Sequence, residues 1–245
     1  FLDYVYQLKK EGKIKHIGFS FHDTAEKLDE LLTNHPEVEL VQLQINYIDW
    51  ESDTVQGRKC FEVALKHNKQ IAIMEPIKGG SLVNIMNDAK KIFTDFNPNA
   101  SLASWAIRYA SSLENVLIVL SGMSNMEQLN DNMSYMKNFI PLSKDEYNVI
   151  SKATELIKKT IAVPCTACHY CTDGCPQKIN IPRYFELFND SKRYGIESYK
   201  WNYNDEKNKG GSPSDCISCH LCESNCPQKI EIVSMLKAVT EAFEG

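Results

Sequence analysis

The sequence lacks any apolar run close to the roughly 18 residues that a membrane-spanning helix needs, and no charged-then-apolar leader opens it. It also lacks an excess of positive charge, because it has 27 scattered basic residues and 32 acidic residues, which gives a net charge of -5. No basic stripe could follow a phosphate backbone, so nucleic acid is a poor candidate partner. These absences predict a protein that binds neither membrane nor nucleic acid and stays in the cytoplasm.

The sequence also lacks an initiator methionine, because it begins with Phe1. Residues 1–12 have the pattern of the second half of an amphipathic helix that Gly12 closes. We therefore expect the sequence to begin within a domain. The 245 residues, 43% of them hydrophobic, are enough for one medium domain and one small domain.

The first part of the chain, 14–160, alternates between short apolar runs and amphipathic segments. Strands are predicted at 14–21, 38–47, 71–74 and 116–120, and helices near 24–34, 55–68, 101–113, 125–138 and 144–160. Capping-box spacing marks the helix starts near 24 and 144. Strands that alternate with helices predict parallel pairing through right-handed crossovers, hence an α/β fold. Four such units could be half of a closed (β/α)8 barrel or a small open sheet.

Nine cysteines are present, and eight of them lie within 165–226. Without an export signal the thiols are expected to stay reduced, so the cluster indicates metal rather than disulfides. The ninth, Cys60, lies in an apolar helical stretch and is interpreted as a small core residue.

The eight clustered cysteines form a repeated frame. The frame Cys165, Cys168, Cys171 and Cys175, followed by Pro176, recurs 51 residues later as Cys216, Cys219, Cys222 and Cys226, followed by Pro227. Three closely spaced cysteines can bind three corners of one 4Fe–4S cube, and the fourth binds the other cube in two-cluster proteins. This rule predicts one cluster on Cys165, Cys168, Cys171 and Cys226, and a second on Cys175, Cys216, Cys219 and Cys222.

Two other metal centres use related cysteine patterns. Zinc takes four ligands in one closed set, commonly from paired C-x-x-C units, and fits this frame less well. The segments 165–169 and 216–220 also match C-x-x-C-H, the signature of covalent haem attachment, but haem would leave two cysteines per repeat without a role. His169 and His220 are therefore interpreted as residues beside the ligands or at the surface.

The cysteine-rich part is predicted to be a separate domain, 161–245, after a first domain of 1–160. Between the two frames, 179–200 is predicted to be helical and 202–214 to be a loop rich in turn formers. This long insert is typical of an α-helical ferredoxin rather than of a compact one.

Three segments of the first domain resemble known strand and helix motifs. The segments 12–20, 41–47 and 118–132 resemble the fifth, sixth and eighth strand regions of aldo/keto reductases. With the cysteine frames, the whole chain resembles the C-terminal part of a bacterial aldo/keto reductase with a 4Fe–4S dicluster domain. The resemblance implies the second half of a (β/α)8 TIM barrel followed by a small, mainly α-helical two-cluster domain.

The resemblance also implies a nicotinamide site. Ser20 and Gln44 would hold the nicotinamide carboxamide, with ordinary hydrogen bonding at strand ends as the alternative for both. The adenosine end would meet Ser121, Gly122, Ser124, Gln128 and Asn132, and the N–H groups of 122–124 could receive a phosphate. Gln128 stands where many members have arginine, so NADP and NAD both remain possible. Lys78 is expected either to meet the pyrophosphate or to be a solvated surface lysine.

The catalytic Asp, Tyr, Lys and His of the resembled family come from the first half of the barrel, and no residue of this sequence is matched to them. The intact protein is expected to be an NAD(P)H-linked oxidoreductase that reduces a small-molecule carbonyl substrate. Its two 4Fe–4S clusters would transfer electrons, with a redox partner protein as the candidate donor or acceptor, and residues 1–245 alone would be inactive. The alternative is a ferredoxin-like electron carrier, or a cluster-based sensor, without carbonyl reduction.

Overall fold

The computed structural model describes residues 2–245, including all side chains except those of Leu2, Arg193 and Tyr194. Phe1, the first residue of the helix predicted at 1–12, lies outside the described residues. The remainder of that prediction is confirmed by a helix that ends at Lys10.

The described residues form two compact units. The first contains the chain up to Lys78 together with Leu82–Thr154, and the second contains Gly79–Ser81 together with Glu155–Gly245. The division after Thr154 lies inside a helix, and the domain boundary predicted at 160 stays a prediction.

A parallel sheet forms the centre of the first unit. Within residues 2–245 the sheet has four strands, hydrogen-bonded in sequence order: β1 Gly18–Ser20, β2 Leu40–Gln44, β3 Gln70–Met74 and β4 Val116–Val119. The helices are α1 Leu2–Lys10, α2 Ala25–Asn34, α3 Gly57–Lys66, α4 Asn87–Phe96, α5 Leu102–Ser111, α6 Met126–Met136 and α7 Lys144–Thr160. Every predicted strand and helix of this part is confirmed, while α4 was not predicted.

One face of this sheet is packed against helices, and the opposite face is partly exposed. The packed face carries the alternating residues Val41, Leu43, Ile71 and Ile73, all at most 2% exposed. On the opposite face Ser20 is exposed and Ile118 is 49% exposed. Parallel strands that follow each other in sequence order through right-handed crossovers place their helices on a single face. Successive units of a (β/α)8 barrel have this arrangement, so the predicted α/β barrel-type fold is confirmed.

Side-chain caps begin the helices whose starts were predicted. The Thr24 hydroxyl accepts a hydrogen bond from the backbone N–H of Lys27 at the start of α2. Ser143 and Glu146 form a reciprocal capping box at the start of α7, with distances of 2.8 and 3.3 Å. Each cap satisfies N–H groups that the first helical turn leaves without a partner.

The second unit is mainly helical. Its α-helices are α8 Ile181–Tyr194, α9 Lys200–Lys207, α10 Leu221–Ser224 and α11 Ile232–Glu244, with short 3-10 helices at Ile196–Tyr199 and Pro213–Asp215. Its buried core combines aromatic and aliphatic side chains of α8 and α11 with Cys171, Cys222 and Cys226. None of the helices described between residues 2 and 245 is long and apolar enough to cross a bilayer.

The loop predicted at 202–214 is partly wrong, because α9 occupies its first half. Tyr203 is 1% exposed and stacks on Phe243, with ring centroids 4.5 Å apart. Its ring also meets Tyr184 edge-on, and its hydroxyl donates to Glu244. Packing of a single tyrosine therefore stabilises a helix in a polar segment with little local helix signal.

Candidate metal centre and cofactor site

The eight clustered cysteines line two cavities of the second unit in the described part of the chain. We call these cavity 1, lined by Cys165, Cys168, Cys171 and Cys226, and cavity 2, lined by Cys175, Cys216, Cys219 and Cys222. Each has a volume of about 310 Å³. The structure thus groups the eight thiols into the same two sets of three plus one that the sequence rule predicts.

The backbone of the two cysteine frames repeats as closely as their sequence. Left-handed φ angles between 51° and 64° occur at Ala167, His169 and Lys178, and at the positions 51 residues later, Ser218, His220 and Lys229. Such turns aim successive N–H groups at one concave site, where they can stabilise negative charge. One such N–H group, that of Ala167, donates a hydrogen bond to the sulfur of Cys165 at 3.4 Å.

Burial opposes ionisation of the cavity thiols. It raises the pKa of Cys171 to about 12 and that of Cys222 to about 11. A bare thiolate is therefore disfavoured in either cavity, and a positively charged group is needed to stabilise it. An iron–sulfur core bound by four thiolates supplies that charge, so the residues present fit such a group.

No group of three His, Cys, Asp or Glu side chains within residues 2–245 is arranged to hold a single metal ion. The four thiols of each cavity instead line a common volume. The other side chains in the walls of cavity 2 are mostly apolar, among them Ile179, Val233 and Leu236.

His169 and His220 both lie at the surface beside a cavity. His220 Nδ1 lies 2.7 Å from a carboxylate oxygen of Glu223, and this hydrogen bond lowers the pKa of Glu223. The other oxygen of Glu223 accepts the backbone N–H of Val233 at 2.9 Å. The side chain of His220 therefore helps to fix the start of α11 behind cavity 2.

Gly79 is in close contact with the loop of cavity 1, by which we mean the cysteine segment 165–171. Gly79 has a φ of +60°, and a Cβ added to it would collide with the carbonyl oxygen of Thr166. Gly80 has a φ of +89°, but a Cβ there would meet no described heavy atom within 4 Å outside its chain neighbours. Close approach to the loop of cavity 1 thus requires glycine at 79 but not at 80.

This difference gives a matched pair of variants. Both Gly79→Ala and Gly80→Ala strain a left-handed residue, but only Gly79→Ala also displaces Thr166. We expect Gly79→Ala to lower the free energy of unfolding by about 1–3 kcal/mol more than Gly80→Ala, and to reduce iron retention. Thermal unfolding and iron analysis of both variants check this, and equal losses would show that the contact with Thr166 is not formed.

The predicted nicotinamide residues Ser20 and Gln44 lie on the same face of the sheet at the carboxyl ends of their strands. Ser20 is exposed and pairs in register with Gln42. Gln44 is buried, and its amide nitrogen donates to Asp49 at 2.9 Å. The structure therefore leaves Ser20 accessible and places the amide of Gln44 in a buried polar network.

That network is centred on a buried ion pair. Nζ of Lys78, which is 1% exposed, lies 2.7 Å from both carboxylate oxygens of Asp49. The side chain of Asn46 donates to Asp49 and to the carbonyl oxygen of Glu75, while its own oxygen accepts backbone N–H groups. The alternative that Lys78 is a solvated surface lysine is wrong, because folding buries it against Asp49. The sequence analysis did not single out Asp49 or Asn46 as site residues.

Glu75, directly after β3, also belongs to the buried polar network of Lys78 and Asp49. One of its carboxylate oxygens is buried and has no hydrogen-bond partner among the described residues. Burial raises the pKa of its carboxyl, and Lys78 partly offsets this effect. The negative charge of Asp49 adds to this rise in the pKa of Glu75.

The predicted adenosine-site residues follow β4. Asn132 is buried and its amide donates to the hydroxyl of Ser121 at 3.0 Å. The side-chain oxygen of Gln128 accepts the N–H of Ser124 at 2.7 Å. Gly122 is exposed on the same connection. The structure brings these five residues together, but in it the N–H of Ser124 already has an acceptor.

The α/β unit and the cysteine-lined unit correspond to matches with two family models. Residues 1–155 match the aldo/keto reductase family, and residues 126–231 match the 4Fe-4S dicluster domain. The chain belongs to the aldo/keto reductase family. No curated protein matches it.

Solved structures of aldo/keto reductases are similar to the chain. The holo form of aldo-keto reductase AKR11C1 from Bacillus halodurans is 19% identical, with a TM-score of 0.47, over 60% of this chain and 53% of that one. An aldo-keto reductase from Klebsiella pneumoniae in complex with NADPH is 18% identical, with a TM-score of 0.49, over 64% of this chain and 52% of that one. The chain thus spans about half the length of these solved structures.

Proposed function

We propose that this chain is the electron-carrying and cofactor-binding part of a nicotinamide-linked oxidoreductase, with one 4Fe–4S cluster in each cavity. The observation that carries the proposal is the geometry of the cysteines. Each cavity draws three thiols from one frame and one from the other, as two-cluster proteins do. The match to a 4Fe-4S dicluster domain supports the same assignment.

The residues around each cavity would serve a bound cluster in three ways. The thiols would bind as thiolates and the inward N–H groups, such as that of Ala167, would partly neutralise the charge on sulfur. The apolar walls, which include Ile181 in both cavities, would exclude water and strengthen these interactions. When bound, the clusters supply one-electron chemistry, and the nicotinamide supplies hydride transfer.

The test of the cluster assignment is chemical analysis of protein purified without oxygen. We expect about eight irons and eight acid-labile sulfides per chain, with broad visible absorbance that reduction by dithionite bleaches. Zinc in place of iron, or iron without sulfide, would contradict the proposal.

The cofactor side of the proposal rests on membership of the aldo/keto reductase family. Ser20 and Gln44 would meet the nicotinamide, and the residues after β4 would meet the adenosine end of NADP or NAD. We expect no carbonyl reduction by residues 1–245 alone, because none of them is matched to the catalytic Asp, Tyr, Lys and His of the family. A small-molecule carbonyl compound would be the substrate of the intact protein.

A ferredoxin-like electron carrier is the second candidate. The observation that favours it is the hydrogen bond from the amide nitrogen of Gln44 to buried Asp49. An amide nitrogen that donates to Asp49 is engaged within the protein and does not face a nicotinamide. Bleaching of the visible absorbance of the intact protein by NADPH would support the nicotinamide-linked enzyme. Rapid exchange with one-electron dyes, without any response to NADPH or NADH, would support the carrier.

A further inference from the structure

The two cavities have the same backbone but different surroundings. Thr166 and Ile217 occupy equivalent positions of the two frames, 51 residues apart, yet Thr166 is 7% exposed and Ile217 is 60% exposed. The same contrast holds for the central cysteines, since Cys168 is half-buried and Cys219 is exposed. The sequence repeat alone would have predicted two equivalent sites.

The segment Gly79–Ser81 contributes to this contrast and belongs to the same compact unit as both cavities. Gly79 packs directly against the carbonyl of Thr166 and thereby covers this residue. At the loop of cavity 2, by contrast, Cys219 lies between Ile217 and Leu221, which is 50% exposed. Cavity 2 therefore has a cysteine ligand at the surface, whereas the corresponding cysteine of cavity 1 is half-buried.

The two cavities also share a wall. Ile181, at the start of α8 and 1% exposed, lines both of them. The equivalent residue of the second frame, Ile232, lines cavity 1. Groups bound in the two cavities would thus both lie against the buried side chain of Ile181, in neighbouring sites.

We propose that cavity 2 is the outer of the two cluster sites, and that external one-electron donors and acceptors exchange electrons with the chain beside Cys219. This inference rests on the proposed function, because it requires a cluster in each cavity. In each exchange the external carrier loses one electron and the outer cluster gains it, or the reverse. No bond to the chain forms or breaks, and no proton moves.

The exposed patch of Ile217, Cys219 and Leu221 fits a redox protein that touches the chain briefly. Its apolar residues flank the ligand at the surface, so a carrier that covers them brings its own redox centre next to the cluster. Contacts of electron-transfer partners are typically small and short-lived, so a patch of this kind is sufficient. The partner class is therefore a one-electron redox protein.

The repeat supplies a matched pair of positions for the test. Leu221 beside cavity 2 corresponds to Tyr170 beside cavity 1, and Tyr170 is 63% exposed. A lysine or a glutamate at either position changes the local charge without entering the core or replacing a ligand. Iron and sulfide analysis first establishes that Leu221→Lys, Leu221→Glu, Tyr170→Lys and Tyr170→Glu each retain both clusters.

The measurement is the rate of cluster reduction by reduced methyl viologen, a cation, at low ionic strength. Leu221→Glu should be reduced about fivefold faster than Leu221→Lys, and the order should reverse for oxidation by anionic ferricyanide. The Tyr170 pair should differ by less than the Leu221 pair. An equal or larger effect at Tyr170, or none at either position, would overturn the inference. Protein without iron and sulfide would instead refute the proposed function.

Discussion

Replacing Lys78 with methionine is expected to lower the free energy of unfolding by about 3–5 kcal/mol. Methionine has a similar length and fills the same space, but it leaves the carboxylate of Asp49 buried without its cation. Asp49 is 4% exposed and would keep the amide donors of Gln44 and Asn46, which cannot neutralise its charge. Urea unfolding followed by the fluorescence of Trp105, which is buried in the same unit, measures the loss.

An exposed ion pair provides the control. Lys91 and Asp95 lie on α4 with the same 2.7 Å separation, but their side chains are 70% and 61% exposed. Lys91→Met should cost less than about 1 kcal/mol, because water already solvates both charges. The double variant Lys78→Met with Asp49→Leu should recover much of the stability, because it leaves no isolated charge. A loss for Lys78→Met no larger than that for Lys91→Met would show that the buried pair is absent.

Replacing Cys171 with serine is expected to remove about half of the iron, namely the cluster of cavity 1. Cys171 is buried among the core residues of its unit, so the loss should also loosen that unit. Iron and sulfide analysis, visible absorbance and the electron paramagnetic resonance signal of the reduced protein measure the remaining cluster. Cys60→Ser is the matched control, because Cys60 is a buried cysteine of α3 in the other unit and should keep the full iron content.

Double variants test which cysteines share a cluster. Cys226→Ser should remove the same half of the iron as Cys171→Ser, and the two changes together should remove no more. Combining Cys171→Ser with Cys222→Ser should remove both clusters, because these thiols line different cavities. If Cys226→Ser instead behaved like Cys222→Ser, each frame would hold its own cluster and the crossed assignment would be wrong.

Much of the fold could be predicted because its signals are local. The four strands and most helices follow from hydrophobic periodicity, and the caps at Thr24 and Ser143 follow from residue spacing. The missed helix α4 begins after Met86, which offers no side-chain cap, and buries only Ala89 and Phe93. Its sequence therefore gave little sign of a start or of a buried face.

The cysteine frames are informative because the chemistry of a cluster fixes their spacing. The residues that make the two cavities unequal follow no such rule. The contact between Gly79 and Thr166 joins segments distant in the sequence, and the pair of Lys78 and Asp49 depends on how two strand ends meet. Left-handed backbone at residues such as Ala167 and Lys229 is equally hidden, because these residue types seldom adopt it.

The crossed pairing of the frames bears on the order of events during biosynthesis. A growing chain that has passed Cys171 holds three thiols of cavity 1, but the fourth, Cys226, is added only with the second frame. Cavity 2 acquires its last ligand, Cys222, slightly earlier. Neither site can therefore be completed before the second frame has been synthesised, and a chain that stops before Cys222 has an incomplete set of ligands for both sites.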